Sequence, residues 1–469
     1  MQKSGLLKTV VLALILSLSG CTSMQFKDLF SGYAKQMNKV RTAQLSGDFV
    51  QAESLIDELS PSQNNYSLSL LEKGRLNFLA KNWQASKENF DLAYVKIAEE
   101  NAKAKIRLGR GLANATAMVS NDNVIAYDVP AYEQSMLHTY QALNYLYLGS
   151  LEKALVEIRR ANLVQENALA ENAEQLQDAE DKFNQNTLKQ AYPSMDAMIG
   201  KLKNGFQNAY TFYLSGILYE AASQPNDAYI DYKRALEIYP DNHFLQQDVL
   251  RLATQLQMLD DLALFTAKFG PYKTADNGAT NGDVVVILEQ GVVNYKEELS
   301  LNLPLFTHRN DMRFFSFSLP VYQGALASSK TLSVNVADNT YQSQEIVRLQ
   351  SLASKQLQEQ LPALVTRQAI RLVAKEQLRS SMSKEGGDVG NILAGLYNLA
   401  SEHADTRSWL TLPDGVQILR LSLPAGQHNL SLNYGIKRND IKIEVKPNRI
   451  TLINLSSIGS YQGHKISNL

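Results

Sequence analysis

Small residues recur at regular distances through the first half of this 469-residue chain. Ala52 and Ser86 lie 34 positions apart, Ser86 and Ala154 lie 68 apart, and Ala154 and Ala228 lie 74 apart. Each of the last three is followed by a bulky residue four positions later and by alanine seven positions later. A period of this length is typical of helix pairs that cannot bury their apolar faces alone and stack on their neighbours. The first half is therefore predicted to be an array of stacked helix pairs.

Three segments of this half align with one another and resemble the tetratricopeptide repeat. They read LLEKGRLNFLAKNWQASKENFDLA, HTYQALNYLYLGSLEKALVEIRRA and AYTFYLSGILYEAASQPNDAYIDYKRALEIYP. The first helix of each carries a small residue where its partner helix would cross, namely Gly74, Ala142 and Gly216. Pro240 stops the second helix of the third copy. With one weaker copy before these and two degenerate ones, we expect a tetratricopeptide-like helical repeat domain over residues 31–265.

The second half of the chain changes to a pattern typical of strands. A polar linker over residues 266–283 contains the run TADNGATNGD and is followed by alternating or apolar runs that predict strands. A helical block from about Gln342 to Ser383 carries Pro362, which we expect to kink or split it. Four or five antiparallel strands should close the chain. The predicted fold is therefore α+β and multidomain, with an N-terminal helical solenoid and an α+β domain over residues 284–469.

The N-terminus has the pattern of a bacterial secretory signal that ends in a lipid attachment site. Two lysines precede an apolar run that is too short to span a bilayer. The run ends in a sequence that resembles the lipobox: Leu18, Ser19, Gly20 and Cys21. The resemblance implies that residues 1–20 are a signal peptide, that Cys21 carries diacylglycerol and acyl chains, and that residues 21–30 are a lipidated tether. The alternative is an ordinary signal peptide with a chance cysteine.

Composition and motifs exclude several function classes. The chain has 46 basic and 47 acidic side chains, and this balance lacks the basic excess of nucleic-acid-binding proteins. Its six histidines form no HExxH pair, and its sequence contains no nucleophile elbow and no phosphate-binding glycine loop. The one cysteine would be acylated, which removes it as a nucleophile or metal ligand. We therefore expect no cofactor, no metal, no catalytic residues, and no enzymatic activity.

Nearly the whole chain resembles an uncharacterised family of proteobacterial lipoproteins with tetratricopeptide repeats. The resemblance rests on AYEQSMLHTYQALNYLYLGSLEKALVEIRRAN together with GDVVVILEQG, TRQAIRLVAKEQL and ADTRSWLTLPDGVQILRLSLPAGQHNL. Members of that family are often encoded near a lipoprotein activator of penicillin-binding proteins, which implies a cell-envelope role. The family offers no catalytic residues to transfer to this chain.

One stretch of the helical half suggests a binding surface. The run DVPAYEQSMLHTY places Tyr132, Glu133, His138 and Tyr140 around a predicted junction between a loop and a helix. Aromatic and charged side chains of this kind suit the edge of a groove that binds an extended peptide. The alternative is a loop that merely packs against an interrupted repeat.

These observations favour a non-enzymatic, lipid-anchored periplasmic scaffold or adaptor that binds a cell-envelope protein through its helical groove. Thr22 follows Cys21, and in lipoproteins of bacteria with two membranes the absence of Asp at this position favours the outer membrane. The protein is therefore expected on the outer membrane, facing the periplasm. There are two alternatives. The protein is a structural component of a secretion or surface-appendage assembly, or it is an envelope hydrolase.

The lipid anchor can be tested by removing the thiol. Cys21→Ala should move the protein from the membrane fraction to the soluble or precursor fraction, because the acyl chains supply most of the membrane affinity. The measurement is fractionation of cells that express the full chain, with mass spectrometry of the N-terminal peptide. Unchanged membrane retention, or an unmodified thiol at Cys21 in the parent protein, would contradict lipidation.

Overall fold

The structure is a computed structural model, and it describes residues 32–109, 123, 125–179, 192–272, 280–306, 312–372 and 403–469. The predicted signal peptide and tether lie outside the described residues. The lipobox residues Leu18, Ser19, Gly20 and Cys21 lie there as well.

Helices make up the described part of the chain up to residue 269. They are α1 (Tyr33–Gln36), α2 (Asn38–Ser46), α3 (Phe49–Ser54), α4 (Tyr66–Leu79), α5 (Trp83–Gly109), α6 (Ala131–Tyr147), α7 (Leu151–Ala179), α8 (Asp196–Ile199), α9 (Ala209–Ala221), α10 (Pro225–Ile238), α11 (His243–Gln255) and α12 (Leu259–Phe269). One further helix, α13, occupies residues 349–372. No helix in these described segments is both long enough and apolar enough to cross a bilayer.

Successive helices pack as hairpins, and the small residues lie at the contacts between them. A Cβ atom on Gly74 would lie 2.7 Å from the ring of Phe90, and one on Gly216 would lie 2.3 Å from the ring of Tyr232. The Ser86 hydroxyl donates to the Gly74 carbonyl at 2.8 Å. The spacing that predicted these contacts thus reflects close approach of two helices, which only glycine permits beside an aromatic ring.

The strands form two larger sheets and one hairpin. They are β1 (Asn281–Gln290), β2 (Glu297–Phe306), β3 (Met312–Val321), β4 (Leu332–Val336), β5 (Asn339–Gln342), β6 (Gln344–Arg348), β7 (Gly415–Pro424), β8 (Gly426–Tyr434), β9 (Lys437–Val445), β10 (Ile450–Ile458) and β11 (Tyr461–Asn468). The central sheet has the order β11-β10-β1-β7-β6, the outer sheet has the order β5-β4-β8-β9, and β2 pairs with β3. The prediction of a mixed helix and strand chain with antiparallel strands is confirmed.

Two features of the second half differ from the sequence prediction. Strands β1 and β10 pair in parallel, with Val284 opposite Thr451, whereas antiparallel pairing was expected throughout. The long crossover between the two strands makes the parallel arrangement possible. Helix α13 begins at residue 349, after β6, whereas a helix from about Gln342 was expected, and it runs through Pro362 without splitting. Leu361 and Val365, on either side of the proline, are buried in the same core and hold both halves together.

The central sheet is buried on both faces. Val284 and Val286 of β1 face a cluster shared with the outer sheet, whereas Val285 and Ile287 face a larger cluster shared with the helices. The outer sheet contributes alternate residues, such as Ile441 and Ile443 of β9, to the smaller cluster. The molecule therefore has three layers: helices, central sheet and outer sheet. The predicted linker, residues 266–283, overlaps the end of α12 and the start of β1, and the helices and strands on either side share one hydrophobic cluster.

The contact between α4 and α5 gives a stability prediction. Gly74→Ala should lower the free energy of unfolding by about 1–3 kcal/mol, because the new methyl group overlaps the Phe90 ring. In the second repeat, Ala142 takes the position of Gly74 and the smaller Ile158 takes the position of Phe90. Chemical denaturation should therefore show a smaller loss for Gly74→Ala in a Phe90→Ile background than in the parent. Equal losses in both backgrounds would exclude this contact as the cause.

Candidate functional site

Helices α4 and α6 hold an irregular stretch of the same chain, residues 403–414, which we call the inner segment. Glu72 of α4 accepts the backbone N–H groups of Leu410 and Thr411, which lie in a turn, at 2.7 and 2.9 Å. It also accepts the hydroxyl of Tyr33 at 3.2 Å. Gln44 of α2 donates to the Thr411 carbonyl at 3.0 Å. The helices thus bind the main chain of the inner segment through polar side chains.

Trp409 is the largest apolar side chain that the inner segment places against the helices, and it is 1% exposed. Its ring lies 5.8 Å from that of Phe90 and 6.0 Å from that of Tyr140, edge to face in both cases. Its backbone N–H donates to Glu133 at 2.9 Å, and its indole N–H donates to the Thr411 hydroxyl at 2.9 Å. Every polar hydrogen of this residue is therefore satisfied while its ring is buried.

Burial dominates the electrostatics of the two carboxylates that hold the inner segment. It raises the pKa of Glu72 to about 7, although the hydrogen bonds from Thr411, Leu410 and Tyr33 favour the charged form. Burial also raises the pKa of Glu133, against the opposing effect of the Trp409 N–H and of Lys296. Both groups are completely buried, so their charge is supported by hydrogen bonds and not by water.

The start of the inner segment is fixed by a charged residue. The Arg407 guanidinium donates to the Asn65 side chain at 3.1 Å and to the Ile125 carbonyl at 3.0 Å. It also pairs with Asp405 at 2.6 Å. Burial by itself would raise the pKa of Asp405, but Arg407 and Lys296 lower it below its ordinary value. The guanidinium therefore joins three parts of the chain that are far apart in sequence.

Ion pairs between the helices and the central sheet extend this interface. Arg75 of α4 pairs with Glu289 of β1 at 2.6 Å, and both side chains are almost completely buried. Arg420 of β7 pairs with Glu220 at 2.8 Å and with Asp248 at 3.0 Å. Removing one partner of such a pair leaves an uncompensated buried charge, which is strongly destabilising. These pairs fix how the helices sit on the sheet.

The structure brings three of the four predicted binding residues together around the inner segment. Tyr132 donates its hydroxyl to Glu133 at 3.0 Å, and Tyr140 packs on Trp409. His138 lies apart from them, with its Nδ1 2.7 Å from Glu157 of α7. All four are at most 3% exposed. Their role in binding a separate partner stays a prediction, because in this structure the chain itself covers them.

The sequence analysis did not identify Glu72, Arg75 or Trp409 as site residues. The run LLEKGRL does carry a signal, because it places Glu72 and Arg75 among leucines that form the packed part of a helix. Charges within such a run are buried only when a partner satisfies them. That partner lies more than two hundred residues away in sequence, so neither periodicity nor spacing could reveal it.

Other concave or polar features of the described residues are modest. A shallow depression of about 420 Å³ opens between α2 and α3 and is lined by Asn38, Lys39, Thr42, Ala43, Ser46, Gln51 and Leu55. Within the described ranges, no group of three or more His, Cys, Asp or Glu side chains is placed to hold a metal ion. The inner segment and its helices therefore remain the most developed polar site of the described chain.

Comparisons with known proteins give distant structural similarities. No model of a known protein family and no curated protein matches the chain. A crystal structure of MamA shares 11% identity at a TM-score of 0.27, over 49% of this chain and 91% of that chain. BtubC (BKLC) from P. vanneervenii shares 15% identity at a TM-score of 0.27, over 52% and 84%. The apo form of the quorum sensor NprR from B. thuringiensis shares 14% identity at a TM-score of 0.20, over 57% of this chain and 70% of that chain. These TM-scores are too low to assign a function.

The raised pKa of Glu72 predicts that the folded state loses stability as the pH rises. A carboxyl group that binds its proton more tightly when folded contributes most below its unfolded pKa of 4.5. That contribution, about 3 kcal/mol, is lost as the pH rises through 7. Chemical denaturation between roughly pH 4 and pH 8 covers the unfolded and the folded pKa of Glu72. The free energy of unfolding should fall by this amount across that range in the parent and not in Glu72→Gln.

An exposed carboxylate provides the control for this titration. Glu237→Gln lies on the surface of α10 and should leave the pH profile of the parent unchanged. If Glu72→Gln keeps the full pH dependence of the parent, another buried group is responsible and the assignment to Glu72 is wrong.

Proposed function

We propose that this protein is a lipid-anchored periplasmic scaffold whose helices bind a cell-envelope protein. The proposal combines the lipobox-like sequence that ends at Cys21 with the arrangement of the helical hairpins. The observation that carries it is a set of exposed apolar side chains on three successive hairpins. Exposed apolar side chains that recur on neighbouring repeats are typical of protein interaction sites.

The exposed side chains form what we call the outer stripe. It consists of Leu92 and Val95 on α5, Val156 and Leu163 on α7, and Ile230 on α10, which are 42–63% exposed. A helix surface in contact with water alone has no need of such residues at its centre. Each of the three helices is the second of its hairpin, so the outer stripe recurs in the same part of each repeat.

The outer stripe lies on the side of these helices that faces away from their partners. Its residues follow the small residue of their repeat by two, six or nine positions, as Val156 and Leu163 follow Ala154 and Leu92 follows Ser86. The buried residues follow it by four and seven positions, as Ile158 and Ala161 do. With 3.6 residues per turn, these two sets lie on opposite faces of the helix.

The inner segment supports the assignment of the partner to the outer stripe. It fills the surface around Glu72, Phe90 and Tyr140 that a bound peptide would otherwise contact. A partner bound by Tyr132, Glu133 or Tyr140 would first have to displace a tryptophan that is 99% covered. Burying an aromatic side chain of that size contributes several kcal/mol to folding, which such a partner would need to replace. The exposed surface needs no displacement.

Site-specific photocrosslinking in intact cells tests this function. A photoreactive amino acid at Val95 or Leu163 should crosslink to one and the same envelope protein, identified by mass spectrometry. Leu163→Glu should then reduce its recovery with the membrane-anchored protein by about tenfold or more, because a charge is placed in an apolar contact.

Leu264 of α12 provides the matched control, because it is 62% exposed, close to the 63% of Val95, and lies outside the outer stripe. A photoreactive residue there should not crosslink to the same protein. Crosslinks from all three positions, or from none, would contradict recognition through the outer stripe.

A further inference from the structure

One end of the molecule collects three turns from distant parts of the chain. They are the α2–α3 corner (residues 45–50), the β8–β9 turn (residues 435–437) and the β10–β11 turn (residues 459–461), and we call them together the three-turn end. The Ser460 N–H donates to the Leu45 carbonyl at 3.0 Å, and the Lys437 ammonium donates to the Gly459 carbonyl at 2.7 Å. These hydrogen bonds hold the three turns together as one surface.

The most exposed large apolar side chains of the three-turn end are Ile436 and Val50. Ile436 is fully exposed and Val50 is 72% exposed, with Leu45 at 38% nearby. Ile436 follows Gly435, whose φ of +62° fits the first central position of a two-residue hairpin turn. The second position of such a turn accepts polar residues, so the fold does not require isoleucine there. Its side chain is therefore available to an external apolar environment.

Cationic side chains accompany this apolar surface. Lys39 is exposed on α2 and lines the same depression as Ser46 and Gln51, whereas the exposed Asp48 of the corner caps α3 by accepting the Gln51 N–H. Lys330 approaches the β8–β9 turn, with its Nζ 3.2 Å from the position of a Cβ atom on Gly435. Lysines near apolar side chains suit a surface of phosphate headgroups, because their ammonium groups are attracted to anionic lipid.

The length of the predicted tether places a bilayer within reach of this end. The ten residues from 22 to 31 separate Cys21 from Gly32, and fully extended they span at most about 35 Å. Helices α1 and α2 then lead from Tyr33 to Ser46, over about 20 Å. If Cys21 is acylated, the three-turn end therefore lies within about 55 Å of the anchored residue, which allows it to contact the membrane surface.

We infer that the three-turn end lies against the lipid bilayer, with Ile436 and Val50 inserted among the headgroups and the lysines beside them on the phosphates. This inference rests on the proposed lipid anchor, but it concerns a second, non-covalent contact made by the folded chain. It orients the molecule on the membrane, which an acyl chain at Cys21 does not do by itself.

A single introduced thiol tests this orientation in the full, membrane-anchored protein. Cys21 is the one cysteine of the chain, so after its acylation Ile436→Cys or Val50→Cys gives one free thiol. Each variant is labelled with a fluorophore that reports polarity and is reconstituted into vesicles of phosphatidylethanolamine and phosphatidylglycerol. We expect blue-shifted emission at both positions and quenching by nitroxide-labelled lipids.

Leu259→Cys is the matched control, because Leu259 is as exposed as Val50, at 72%, and lies on α12 outside the three-turn end. Its fluorophore should report water and resist the lipid quencher. Water-like emission at 436 and 50 would overturn the proposal, and so would equal quenching at 259. A blue shift without lipid quenching would overturn it in favour of a protein contact.

Labelling of the parent protein distinguishes this proposal from the lipid anchor. A parent chain that takes up the label at Cys21 shows that the anchor is absent and that the proposed function fails. Quenching at positions 436 and 50 can still be measured in that case, by adding Ile436→Cys and Val50→Cys in a Cys21→Ala background to the same vesicles.

Discussion

Burial of the central sheet on both faces is the constraint on which the rest of the structure depends. Residues 284–288 of β1 are all completely buried, and their side chains alternate between the helices and the outer sheet. A strand of this kind is stable only when both layers are present, because either face left open would expose a row of valine, isoleucine and leucine to water. The helices therefore complete the core of the second half.

The same constraint explains the buried charges. The inner segment crosses the interface without belonging to a sheet or a helix, so its N–H groups need other acceptors. Glu72 and Glu133 supply them, and Arg75 and Arg420 pair with carboxylates across the layers. Apolar contacts alone would permit the helices to slide along the sheet. Directional bonds to buried charges permit one alignment, which is a specificity role that such groups have in other folds.

The sequence could predict whatever depends on local spacing. The small residues Gly74 and Gly216 lie at the predicted helix contacts, and the strand boundaries follow the apolar runs closely. Parallel pairing of β1 with β10 could not be predicted, because an apolar run does not identify a partner far away in sequence. The hydrogen-bond partners of Glu72 could not be predicted for the same reason. Its burial depends on Leu410 and Thr411, more than three hundred residues away.

Because the inner segment covers the helix surface around Glu72 and Tyr140, that surface is closed to other molecules in this structure. The predicted groove residues Tyr132, Glu133 and Tyr140 are buried under the chain itself, so the proposed partner is assigned to surfaces that the chain leaves open. The outer stripe is built from α5, α7 and α10, whereas the three-turn end is built from α2, α3 and strand turns of the second half. No element is common to both surfaces. Under the proposed function a bilayer and a protein can therefore be bound together, and the rigid three-layer core then fixes the position of the bound protein relative to the membrane.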